Sequence, residues 1–194
     1  MSFALNEVEA TAKKAARGAG HPWGLAEEAG KATRWLCAQG LDGVAILSTA
    51  LSRDPSAAAC PLAEGAALSD RAAALAGQET LLAEVAAPAM VLPFAALVAR
   101  QTGQCVTVEC KGAWATTDGR RLRLSATFPA APAPLRLLCG GDPGALDDLR
   151  PMATRATPDD VAWQTLERLA HRTYAPATEE SRMRGAGAGL SDND

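Results

Sequence analysis

His21, Trp23, Glu27, Glu28, Lys31 and Arg34 fall within one short stretch of the chain, and each is a residue type that can hold a ligand or carry a proton. On a helix Glu27, Lys31 and Arg34 share a face, being spaced i, i+4 and i+7. A carboxylate between two cations keeps a low pKa and serves poorly as a general base. Glu28 lies one position round and is the better base, with His21 as a second proton carrier. Trp23 and Lys31 supply an aromatic surface and a cation for a ligand. The bland alternative is a solvated, salt-bridged helix face with Trp23 packed into the core.

A second concentration lies at the C-terminal end. Arg182 and Arg184 are fork-shaped donors suited to a carboxylate or phosphate. Gly185, Gly187 and Gly189 follow at every second position, where a backbone free of Cβ can approach a ligand closely. The spacing is neither the phosphate-loop pattern nor G-x-G-x-x-G between a strand and a helix. Ser181 has no evident His-Asp partnership. The bland reading is a solvated polar end. The expectation here is an ordered tail over 173–194 that docks on the helix starting near Trp23.

The cysteines make a third set. Cys105 and Cys110 sit on or beside one strand with Glu109, Lys111 and Trp114. Their odd separation sends them to opposite faces of an unbroken strand. The five cysteines contain no C-x-x-C, and only His21 and His171 accompany them. Reduced, non-catalytic thiols are expected, with no metal and no cofactor. His171, near a helix end, complements the dipole there.

These residues need elements to hold them. Leu5, Asn6 and Glu9 spell a capping box with an apolar residue before the cap, opening a helix over 7–17 that Gly18 and Gly20 stop. A second helix follows Trp23, with Leu25, Ala29, Ala32 and Leu36 on one side. Asp42 caps a third carrying Val44, Leu47 and Leu51. Residues 53–79 read as a loop with a short helix around 69–75. A strand is expected over 81–85, and 88–102 reads as either a helix opened by Pro93 or a buried strand. Val106–Cys110 alternates, Asp118-Gly119 marks a hairpin before 122–127, and Leu135–Cys139 is a further strand. Thr157, Pro158, Asp159 and Asp160 open a last helix, with Val161, Leu166 and Leu169 as its contacts.

The block Trp23-Gly24-Leu25-Ala26-Glu27-Glu28-Ala29-Gly30, the Ala16–Gly20 run and the end Gly185–Asp194 resemble those of a family of uncharacterised proteobacterial proteins, a domain of unknown function. The resemblance runs along essentially the whole chain. It implies that the two blocks belong to one recurring design, and it implies no activity, cofactor or catalytic residue.

Bulk properties narrow the function. A net charge of −3 argues against nucleic acid, which calls for a basic excess. No apolar run is long enough to span a membrane. The N-terminus lacks the basic and apolar regions of a signal peptide, so a cytoplasmic location is expected. Aromatic residues are 4% of the chain while Ala is abundant, which favours closely approaching backbones. The expected fold is one α+β domain over 1–194. Its parts are a helical portion (1–52), a small, mainly antiparallel sheet (81–139) and a helix (157–172) ahead of the tail. The expected function is cofactor-independent binding or turnover of an anionic metabolite. The competing expectation is a non-catalytic subunit whose tail docks into a partner chain; a homodimer is compatible with either.

Overall fold

The computed structural model describes residues 1–53, 58–142 and 152–174. It is an α+β fold in which helices from both ends of the chain lie on one side of an antiparallel sheet.

Helix α1 (Leu5–Gly18) and helix α2 (Trp23–Ala38) form an antiparallel hairpin. Their seam is built from small side chains: Val8, Ala12, Ala15 and Ala16 meet Ala26, Ala29 and Gly30, all buried. A Cβ on Gly30 would lie 2.8 Å from the Glu9 carbonyl oxygen, so the seam requires glycine there. The expected cap at Asn6 is corrected. The helix starts at Leu5 because Phe3–Ala4 (β1) pairs with Arg155–Ala156 (β7), which fixes the chain before Asn6. The Asn6 side chain accepts from the neighbouring Glu7 N–H.

Helix α3 (Gly43–Leu51) starts where expected. Asp42 Oδ1 accepts from Ala45 N–H at 2.9 Å. Beyond it the loop expected over 53–79 is corrected. Pro61 opens α4 (Pro61–Asp70), and α5 (Ala72–Leu75) follows. Gly65 in α4 lies against the Phe94 ring, so the weakly apolar sequence there hides a tight contact. The ambiguous stretch resolves as a 3₁₀ turn (Pro88–Val91) running into α6 (Leu92–Thr102), which Gly103 ends at φ 67°. Ala87, just before that turn, also has a positive φ of 43°.

The sheet holds β2 (Glu79–Val85), β6 (Ala133–Cys139), β3 (Val106–Cys110), β4 (Ala113–Thr117) and β5 (Leu122–Leu124), in that spatial order. Its tightest turn is Lys111-Gly112, both at positive φ, which suits a two-residue hairpin loop. The Asp118-Gly119 hairpin exists with a longer loop. Asp118 Oδ1 accepts from both Arg120 and Arg121 N–H at 2.7 Å. One face, with Val108, Ala115, Leu135 and Leu137, is buried beneath α6.

Helix α7 (Asp160–His171) closes the fold against α1 and α3. Its cap is Asp159, not Thr157: Oδ2 accepts from Ala162 N–H at 2.9 Å. Val161 is 69% exposed rather than packed. Trp163 takes that role by stacking on Phe3, with ring centroids 3.8 Å apart.

Candidate functional site

The residues singled out around α2 separate into two groups. Trp23 stands at the start of α2 and is 60% exposed, so it is not a core side chain. The Lys13 ammonium and the Arg17 guanidinium lie 5.8 and 5.1 Å from its ring centroid. His21 precedes it in the α1–α2 turn, and its carbonyl accepts from Arg17 at 2.8 Å. Burial, reinforced by the nearby Arg53 cation, lowers the His21 pKa, so the imidazole is neutral at pH 7. Glu27 bonds Lys13 at 2.7 Å, and that hydrogen bond and charge depress its pKa.

Glu28 and Lys31 sit elsewhere on α2, paired at 2.8 Å. The bond to Glu28 raises the Lys31 pKa. Both line a small cleft of about 110 Å³ with Trp35, Phe94 and Arg100. His21 and Trp23 do not line it, so the expected Glu28–His21 pair does not converge. Arg34 completes this surface by binding Glu9 at 2.9 Å. The helix face is thus largely a set of ion pairs across the α1–α2 seam.

Arg182, Arg184, Gly185, Gly187 and Gly189 lie outside the described residues. The described start of the tail, Tyr174, rests on α1. Its hydroxyl accepts from Lys14 Nζ at 3.2 Å. The cysteines are all free thiols. Burial raises the pKa of Cys37, Cys105 and Cys110, which makes them poor nucleophiles. Among the described residues no three His, Cys, Asp or Glu side chains gather as a metal site.

Another hollow lies apart from the candidate site residues named above. A space of about 270 Å³ runs along α3, lined by Leu41, Ala45, Ile46, Leu92, Leu124 and Phe128. Its polar residues are Asp42, Thr49 and Thr127. Thr49, Ala87 and Ala130 also line a second, more polar cavity of about 490 Å³, which carries Ser48, Ser52 and Arg53. Together they form a groove with one apolar portion and one more polar portion that carries the Arg53 cation. Asp42 marks the opposite end. Its two oxygens accept from Ala45 N–H and Asp159 N–H, both at 2.9 Å. The groove forms because the chain after β5 folds back over α3, burying Phe128. In sequence the only signal for it was the apolar spacing of α3. Its facing walls come from two remote segments, Ala87 to Leu92 and Leu124 to Ala130.

Residues 3–64 match the model of a family described as a protein of unknown function, DUF3726. The matched stretch includes α1, α2, α3 and the start of α4, and so one wall of the groove. No curated protein and no solved structure matches the chain. No helix among the described residues is long and apolar enough to cross a membrane.

Proposed function

We propose that this protein binds a small anionic metabolite in the groove along α3, as a ligand-binding protein or enzyme of cytoplasmic small-molecule metabolism that needs no cofactor. The observation that carries this reading is Arg53 at one end of a groove with apolar walls. Concave, mostly apolar sites with a few placed polar groups are where small molecules bind. A guanidinium also matches the geometry of a carboxylate or phosphate. The cytoplasmic part of the reading draws on five thiols that remain free.

Thermal melts against a panel of small carboxylates and phosphates test it. A ligand that binds only the native state raises the Tm in a concentration-dependent way. The Ile46→Trp variant, which fills the groove, should abolish that rise while leaving the ligand-free protein folded. A rise of equal size in Ile46→Trp would place the ligand elsewhere and end this reading.

A second reading, a non-catalytic subunit, draws on the sheet face turned away from α6. That face carries Leu81, 71% exposed, in one cross-strand row with Arg136, Glu109 and Trp114, 39% exposed. Arg136 lies between them, bonded to Glu79 and Glu109 at 2.8 and 3.0 Å. If this face joins a second copy, sedimentation will show a dimer that Leu81→Arg dissociates. A monomer at high concentration would remove the reading.

A further inference from the structure

We infer that the groove selects a single class of ligand, an amphipathic monoanion, with its one charged head at Arg53 and its apolar body running toward Asp42. The inference rests on the reading of the groove as the binding site and adds the chemistry that the site accepts and refuses.

The two ends of the groove carry opposite charges. At one end Arg53 is anchored by donating to the Ala58 carbonyl at 3.2 Å, which holds its cation at the polar cavity. At the other end Asp42 is a carboxylate whose oxygens are engaged by the backbones that open α3 and α7. A side chain serving two backbone amides cannot swing aside to admit a ligand without exposing both. Between the ends, the portion nearer Asp42 is walled by Ile46, Leu92 and Phe128, which offer no charge, and the portion nearer Arg53 carries Ser48, Thr49 and Ser52. At about 30 Å³ per water-sized group, the 270 Å³ apolar portion holds a body of about nine heavy atoms.

Three ligand classes are thereby sorted. A neutral molecule of this length gains the apolar burial but offers no anion to the Arg53 guanidinium. A monoanion gains both. A dianion with charges at both ends points its second carboxylate toward the Asp42 end, where like charges repel. Refusal by an unfavourable charge is a recognised source of specificity, separate from any attractive contact.

Titration calorimetry at pH 7 with octanoate, octan-1-ol and octanedioate tests these points on the full chain. Octanoate should bind more tightly than octan-1-ol by about ten- to hundredfold, the range for a hydrogen bond to a charged group. Arg53→Ala should bring octanoate down to the affinity of octan-1-ol and leave the alcohol unchanged. Octanedioate should bind at least about tenfold more weakly than octanoate. Asp42→Asn keeps a capping oxygen and removes the charge, and it should bring octanedioate within about threefold of octanoate. Equal affinity of octanoate and octan-1-ol would overturn the monoanion inference while leaving the groove as an apolar site. Tight binding of octanedioate to the parent would overturn the role given to Asp42. Failure of all three probes to bind would overturn both this inference and the groove itself as the site.

Discussion

The α1–α2–α7 packing and the groove along α3 are built from opposite materials. In the first, alanines and glycines bring backbones close, and the charged side chains pair off across the seam. In the second, larger apolar side chains face one another and leave space unfilled. The difference teaches where function should be sought in this chain. A density of charged and special residues marks a surface that has satisfied itself. Ordinary residues such as Leu41, Ile46 and Phe128 line an apolar hollow of about 270 Å³.

The contrast can be broken most sharply by deleting volume on each side. Leu36 is fully buried beneath the helical layer, so Leu36→Ala should cost about 2–5 kcal/mol in urea unfolding. Ile46 already faces empty space and is only half-buried. Ile46→Ala should cost less than half as much. Equal losses would mean that the groove is as tightly packed as the seam. Adding volume gives the next largest effect. A methyl on Gly18 would meet the Leu169 carbonyl oxygen, so Gly18→Ala should destabilise by about 1–3 kcal/mol. A stable Gly18→Ala variant would show that α1 and α7 are not held at that distance.

Asp42 joins the two regions, and Asp42→Ala should cost about 1–2 kcal/mol through the lost cap. The double variant with Asp159→Ala should be less than additive if the two caps act as one unit. Smaller still is a pH effect. The folded-state pKa of His21 lies below its unfolded value, so the unfolded chain binds the proton first. The stability from neutral His21 is therefore whole above the unfolded pKa of about 6.5 and declines as pH falls toward the folded value. His21→Gln should flatten that part of the stability profile, and an unchanged slope would assign it to other groups. Least of all, Lys13→Ala should change stability by no more than about 1 kcal/mol, since its pair with Glu27 is exposed.

Local signals carried much of the fold. The Asp42 cap, the glycine stops and the alternation of Val106–Cys110 are each decided by neighbours in sequence, and each stands in the structure. The misreadings share one cause. Asn6 and Thr157 have the chemistry of caps, but the β1–β7 pairing claims the chain beside them. Helix α4 looked too weakly apolar to persist, and what sustains it is Phe94 against Gly65, a contact between residues far apart in sequence. The site was less legible than the fold for the same reason. Glu28 and His21 are near in sequence but face different surroundings, whereas Arg53 and Phe128 are remote in sequence and bound the same groove.

The pairing of β1 with β7 and the stacking of Phe3 on Trp163 have a consequence for synthesis. The stretch that matches the family model begins at residue 3, yet α1 covers its apolar face with α7, which ends at His171. A ribosome adding about 5–20 residues per second leaves the side of α1 that meets α7, where Gly18 lies against Leu169, without that cover for roughly 8–30 s. The nascent amino-terminal helices must therefore wait, half-dressed, for the carboxyl-terminal one. Emergence of α7, rather than of the first helices, sets the moment at which this packing can form.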